Sequence, residues 1–130
     1  MDWQFTDDRP IWQQLTDQLT LRILKGEYPP GERLPGVREL AAQAGVNPNT
    51  MQRAMAELER DGLVYSQRTA GRFVTEDEEL IRQAKRSLAE KHIKTFLAAM
   101  LRLGYQREEI IELLEQETRQ GGIEDGGIRV

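Results

Sequence analysis

The stretch GVNPNTMQRAMAELERDGLVYSQRTAGRF, residues 45–73, decides the fold. Asn47 is a natural helix cap, and Pro48 suits the first helical position, where its missing N–H would find no partner anyway. Met51, Ala54, Met55 and Leu58 then recur at helical spacing until Gly62 interrupts the pattern. Beyond it, residues 63–66 and 72–75 read as two short strands around a turn at 67–71, a hairpin too small to stand alone. Upstream, Val37, Leu40, Ala41 and Ala44 share one face up to Gly45, which predicts a helix of about two to three turns. Two helices joined by a tight Gly-Val-Asn turn make a helix-turn-helix, and the hairpin packed beside them would be a wing.

Working outward, Asp8 is placed to cap a helix over residues 10–25, with Ile11, Leu15, Leu19 and Ile23 at helical spacing and Gly26 as its stop. The connector EYPPGERLP holds three prolines and a glycine, so an ordered turn is expected there rather than helix. Thr75 followed by Glu78 matches a capping box at the start of a long helix of about 27 residues. One of its faces carries Ile81, Ala84, Leu88, His92, Phe96 and Leu103; another carries Ala89, Ile93, Leu97 and Met100. A helix apolar on two sides needs more cover than one short neighbour offers, and a second copy of the chain is the obvious source. After Gly104, REEIIELLEQE predicts a last amphipathic helix anchored by Ile110, Ile111, Leu113 and Leu114. The fold class is thus mainly α with a small β-hairpin. Residues 1–75 form a winged helix-turn-helix domain, 76–118 a two-helix dimerisation extension and 119–130 a flexible, glycine-rich tail. The dimerisation set is Ile81, Leu88, His92, Phe96, Met100, Leu103, Ile110 and Leu114.

Composition removes several classes of function. Without cysteine, disulfides and thiolate metal sites are excluded, and the single His92 leaves little for imidazole chemistry. No catalytic constellation can be assembled, no cofactor or metal is implied, and an enzyme is the weakest reading. The opening MDWQFTDDRP carries acids and no apolar run, and no stretch approaches the roughly 20 apolar residues of a membrane span, so a cytoplasmic protein without membrane contact is expected. Net charge is −4, which argues against indiscriminate binding to polyanions. Any nucleic-acid surface must be local.

A helix-turn-helix places the first turns of its second helix against base edges. Here Asn47, Asn49, Thr50, Gln52 and Arg53 are hydrogen-bonding side chains lying away from the core stripe. Asn and Gln pair bidentately with adenine and Arg with guanine, each good pair discriminating by roughly 1–3 kcal/mol. Each residue also has a plainer reading: Asn47 as a cap, Thr50 bonding nearby backbone or a phosphate, Arg53 pairing with Glu57 across one turn. In the wing, Arg68 and Arg72 flank a turn containing Thr69 and Gly71, where cations can reach phosphate or a narrow minor groove.

Residues 26–74, GEYPPGERLPGVRELAAQAGVNPNTMQRAMAELERDGLVYSQRTAGRFV, with PIWQQL before them, resemble the GntR family of bacterial transcription regulators. The PPGERLP connector, the VRELA helix, the GVNPNT turn and the GRFV wing end occur in the family's order. The NPNT form with only a two-helix extension behind it is similar to the YtrA subfamily. The resemblance implies a winged helix-turn-helix homodimer on double-stranded operator DNA, usually a repressor and often of transporter genes, with an unknown small-molecule effector possible. It also implies DNA contacts by Arg38, Asn47, Asn49, Thr50, Gln52 and Gly71. The chain departs from the family where Gly36 replaces a common Ser cap, and where Pro48 and Gln52 replace common arginines. Specificity would then lean on the asparagines, Gln52, Arg53 and the wing. A rival reading is a winged-helix adaptor that binds protein rather than a DNA sequence, with the acidic net charge as its main support. His92 leaves open a pH-sensing or metal-holding role beside that of an interface residue.

Overall fold

In the computed structural model, residues 2–120, 123–124 and 127–128 are described. Five helices and a hairpin follow in order: α1 (Ile11–Leu24), α2 (Val37–Ala44), α3 (Pro48–Arg60), β1 (Val64–Gln67), β2 (Gly71–Val74), α4 (Glu78–Arg102) and α5 (Arg107–Arg119). Of the tail expected from residue 119, Arg119 is instead the last residue of α5 and Gln120 its cap, two-residue strands β3 (Ile123–Glu124) and β4 (Gly127–Ile128) pair antiparallel, and the remainder lies outside the described residues. Two units are distinguished, Met1–Leu88 and Ala89–Val130. Among the described residues no helix is long and apolar enough to cross a membrane.

In the first unit, Leu15, Leu19 and Ile23 of α1, Leu40 and Ala41 of α2, and Met51, Ala54, Met55 and Leu58 of α3 form one buried cluster with Leu34, Leu63, Val64 and Val74. These are the apolar positions that helical spacing places together. Helix α1 starts at Ile11 without a side-chain cap; the carbonyl of Pro10 accepts from Gln13 N and Gln14 N instead. Asp8 does not cap it: the N-cap position is Pro10, two residues on, and the Asp8 carboxylate accepts from the Thr6 hydroxyl.

Residues 2–9 form an arm on α1 that the spacing does not announce. Gln18 Nε2 donates to the Gln4 carbonyl at 2.6 Å, and one turn earlier Gln14 Oε1 accepts from Thr6 N at 2.8 Å while Gln14 Nε2 donates to Thr6 O at 2.9 Å. The two glutamine amides satisfy the backbone of alternate residues, as a neighbouring strand would. Trp3 and Phe5, the residues between and before them, pack against the core cluster.

The connector contributes a third line to the wing. Gly31 N donates to Val74 O, Val74 N to Glu32 O and Leu34 N to Arg72 O, each at 2.9 Å, with Arg33 opposite Phe73. An ordered turn is present over residues 29–32, where Glu32 N bonds Pro29 O at 3.1 Å, but it leads into this extended run. The hairpin therefore does not stand alone.

At the entry to α4 the expected capping box is not formed. Asp77 Oδ1 accepts from Glu79 N and Leu80 N at 3.1 and 3.2 Å, so Asp77 is the cap and Glu78 the first helical residue. Thr75 is buried instead, its N–H on Leu63 O at 2.9 Å and its Oγ1 accepting from Asp77 N. Leu80, Ile81 and Ala84 then pack against the core cluster.

In the second unit, α5 begins with Gln106 N donating to Glu109 Oε1 at 2.9 Å. Of its four expected anchors only Ile110 is buried; Ile111, Leu113 and Leu114 are exposed. Ile93, Phe96, Leu97 and Leu101 of α4 are exposed as well, as is Leu103 just beyond its end, at 72%.

Leu19 is fully buried where α1 meets α3. Leu19→Ala should cost about 2–5 kcal/mol through lost burial and the cavity left behind. Urea denaturation would show this as a lower midpoint at unchanged slope; an unchanged midpoint would mean that this position is not part of the core.

Candidate nucleic-acid interface

The turn between α2 and α3 is made by Gly45, whose φ of 71° lies in the left-handed region that glycine adopts without strain. Val46 N closes onto Ala41 O at 3.0 Å, ending α2 and directing the chain into Asn47. Asn47 Oδ1 then accepts from Asn49 N at 2.7 Å, with Pro48 opening the helix. That bond holds the side chain at the helix start and takes up one of the two lone pairs of its oxygen. Asn49 and Gln52 carry no such engagement among the described residues and are exposed, so they are the side chains on this turn equipped for bidentate base contact. Thr50 is half-buried, its N–H bonded to Asn47 O at 3.0 Å.

Arg53 does not pair with Glu57. Its guanidinium lies 4.0 Å from the ring centroid of Trp12 on α1, while Glu57 pairs with Arg60 at 3.1 Å. Stacking on an indole fixes the position of a cation and leaves its charge outward-facing groups available. Arg38, the second residue of α2, is exposed; Gly36 before it offers no side-chain cap bond, in line with the absence of serine there.

In the wing, Val64 pairs with Val74, Tyr65 with Phe73, Ser66 with Arg72 and Gln67 with Gly71, leaving Arg68 and Thr69 exposed in the turn. The Tyr65 and Phe73 rings stack at 5.8 Å, and Gly71 has φ 103°, again a conformation that favours glycine. Arg72 is not an open cation. Its Nε donates to Glu59 Oε1 of α3 at 2.5 Å, and Ser66 Oγ donates to the same oxygen at 2.8 Å. These two donors, Arg72 foremost, hold the Glu59 carboxyl below the ordinary glutamate value, against a smaller opposing effect of burial. The ion pair ties the wing to the recognition helix.

Such pairings explain how a near-neutral domain can present positive charge. Residues 1–75 carry 9 basic and 10 acidic side chains. Arg9, Arg22, Arg60 and Arg72 are bound to Asp17, Glu27, Glu57 and Glu59. Among the described residues of this stretch, Lys25, Arg33, Arg38, Arg53 and Arg68 have no carboxylate partner. Four of these five lie on the helix-turn-helix, the wing or the connector run beside it. Arg33 is the one that sequence reasoning passed over.

The residues assigned from sequence to dimerisation divide. Ile81 packs on the core of the first unit and Ile110 is buried in the second. Leu88 and Met100 are half-buried, and His92, Phe96, Leu103 and Leu114 are exposed. Among the described residues no group of three or more His, Cys, Asp or Glu side chains could hold a metal ion, so His92 has no ligand set around it.

The family profile for bacterial regulatory proteins of the gntR family matches residues 12–74. The chain is similar to YhcF, an uncharacterized HTH-type transcriptional regulator of Bacillus subtilis, at 40% identity over 93% of this chain and 100% of that protein. It is also similar to the HTH-type transcriptional repressor YtrA of the same organism, at 32% identity over 82% and 83%. A GntR family transcriptional regulator from Listeria monocytogenes superposes with a TM-score of 0.76 at 38% identity, covering 86% of this chain and 98% of that one. The DNA-binding domain of AraR, solved in complex with its operator ORX1, superposes with a TM-score of 0.52 at 27% identity, covering 58% and 99%.

A carboxyl held below its ordinary value stabilises the fold above its unfolded-state pKa, and that contribution is lost as pH falls through the folded-state value. Glu59→Gln should therefore destabilise the protein by on the order of 1 kcal/mol at about pH 7 and by much less at about pH 3. Paired thermal melts measure this; a difference that stays constant with pH would remove the Glu59 charge from the stability of the wing.

Proposed function

The chain belongs to the GntR family of bacterial regulatory proteins, and from that premise we propose that it is a sequence-specific DNA-binding regulator, a homodimeric repressor of a transporter-type operon. The observation that carries the DNA reading is the first turn of α3, where Asn49 and Gln52 stand exposed and without intramolecular side-chain partners beside an unpaired Arg38. In a protein interior such amides would be bonded; on a surface that reads base edges they are the working groups. Arg68 and Thr69 at the wing turn supply contacts to the backbone or minor groove. YtrA carries the name repressor and AraR was solved on its operator, which supports the same role here.

The apolar side chains left exposed in the second unit support the dimer. Phe96, Leu97, Leu101 and Leu103 with Ile111, Leu113 and Leu114 would bury against a second copy, and two-fold symmetry would match palindromic half-sites about one helical turn or a multiple apart. Bound at a promoter, the dimer would block polymerase in the cytoplasm until a signal altered the spacing or mobility of its two DNA-binding domains.

The first test is fluorescence anisotropy on the protein's own upstream DNA and on a shuffled duplex at two salt concentrations. Tight, salt-sensitive binding that prefers the native duplex is expected. Equal weak binding to both, followed by failure to select any sequence from a random pool, would favour a protein-binding adaptor. Asn49→Ala should cost roughly 1–3 kcal/mol on the preferred duplex and leave non-specific affinity in place; equal losses on both would reassign Asn49 to phosphate. Phe96→Asp should give monomers in sedimentation and weak operator binding, and an unchanged dimer would place the interface elsewhere.

A further inference from the structure

Gly71 has a neighbour that its place in the sequence does not reveal. A Cβ built at this glycine would lie 2.8 Å from Arg33 Nε and 3.5 Å from Arg33 Cζ and Nη2, so the guanidinium of Arg33 rests against the open face of Gly71. The two residues are 38 positions apart and meet because the connector runs beside β2. Hydrogen bonds on either side, Val74 N to Glu32 O and Leu34 N to Arg72 O, fix the backbone of Arg33 while its side chain remains exposed. Gly71 pairs with Gln67, the last rung before the wing turn, which puts this guanidinium one step behind Arg68 and Thr69.

We propose that Arg33, seated against Gly71, is a phosphate-gripping cation of the wing, occupying the part that the sequence assigns to Arg72. This rests on the DNA-binding reading and extends it to a residue outside the helix-turn-helix and outside the hairpin. Two observations select Arg33. Arg72 already donates to Glu59, whereas Arg33 meets no carboxylate among the described residues. Its stem also starts from a backbone held in the wing ladder, so a contact here would order less chain than one from a free loop. Gly71 then has two duties. Its positive φ closes the turn, and its missing side chain leaves room for the guanidinium.

A phosphate contact weakens binding alike on all sequences and contributes about one unit to the salt slope when lost. The full-length protein, Arg33→Ala, Arg33→Met and Arg33→Lys are compared by anisotropy on a duplex from the protein's own upstream region and on a random-sequence duplex. Binding is followed over a salt series, with thermal melts of each variant. Both neutral variants should bind more weakly by the same factor on the two duplexes, with the slope of log K against log salt shallower by about one. Arg33→Lys should restore the slope, since any cation in that position neutralises the phosphate. Methionine keeps the aliphatic stem, so it reports on charge even if alanine disturbs the packing. Unchanged slopes in both neutral variants, or no rescue by lysine, would overturn the assignment. A loss confined to the upstream duplex would overturn it too, in favour of base reading. Wild-type protein that binds neither duplex at low salt would overturn the DNA reading and this inference with it, whereas normal wild-type binding beside unaffected variants would overturn the inference alone.

Discussion

Met51, Ala54, Met55 and Leu58 lie on one side of α3 and are sealed from water, and the rest of the first unit is arranged to keep them so. Fully burying a side chain of this size is worth roughly 1.5–3 kcal/mol, against about 1 kcal/mol for an N-cap. Burial therefore fixes how α3 is rotated, and the Asn47 cap fixes only where it begins. Rotation is what matters for reading DNA. With the stripe turned inward, Asn49, Gln52 and Arg53 must face outward, so what α3 offers to a ligand follows from packing.

Charge follows the same logic at lower energy. Exposed ion pairs contribute about 0–1 kcal/mol each, too little to hold the domain together. Their larger effect here is on what remains. By engaging Arg60 and Arg72 through Glu57 and Glu59, α3 uses its own acids on cations near its C-terminal half and leaves Arg53 at the start of the helix on Trp12. A domain with slightly more acid than base thus retains unpaired arginines on the elements that would meet phosphate. Overall charge is a poor guide to such a surface; which acids are already occupied is the better one.

What could be read from the chain was what repeats or stops locally. The five helices follow from apolar residues at helical spacing, and the first four stop at Gly26, Gly45, Gly62 and Gly104, each with positive φ. The hairpin was legible from its turn. The third line of the wing was not, because a few residues beside prolines show no alternation and their partners lie some forty positions away. For the same reason Arg33 went unnoticed beside Gly71. At the start of α4, Thr75, Asp77, Glu78 and Glu79 offer several possible cap patterns, and burial of Thr75 under Leu63 O resolved them in favour of Asp77. The recognition turn was readable as a set of residues, but their division of labour was not. That Asn47 caps α3 while Asn49 and Gln52 keep open amides rests on where single side-chain atoms point, which spacing does not encode.

Helix α4 changes its surroundings along its length. Leu80, Ile81 and Ala84 in its first turns are packed on the core, and Gly62 makes that possible, since a Cβ there would come within 2.9 Å of Leu80 Cδ1. From Ile93 onward the apolar side chains of the helix are mostly exposed, and α5 buries only Ile110. Single exposed apolar residues are ordinary on a protein surface, but a succession of them on two consecutive helices is the mark of a surface that is covered in use. If a second copy provides that cover, as proposed, folding of the second unit and pairing become one equilibrium, so the stability of the extension rises with protomer concentration. DNA affinity would depend on concentration by the same linkage, because one winged domain reads one half-site and pairing brings the second to it at high effective concentration.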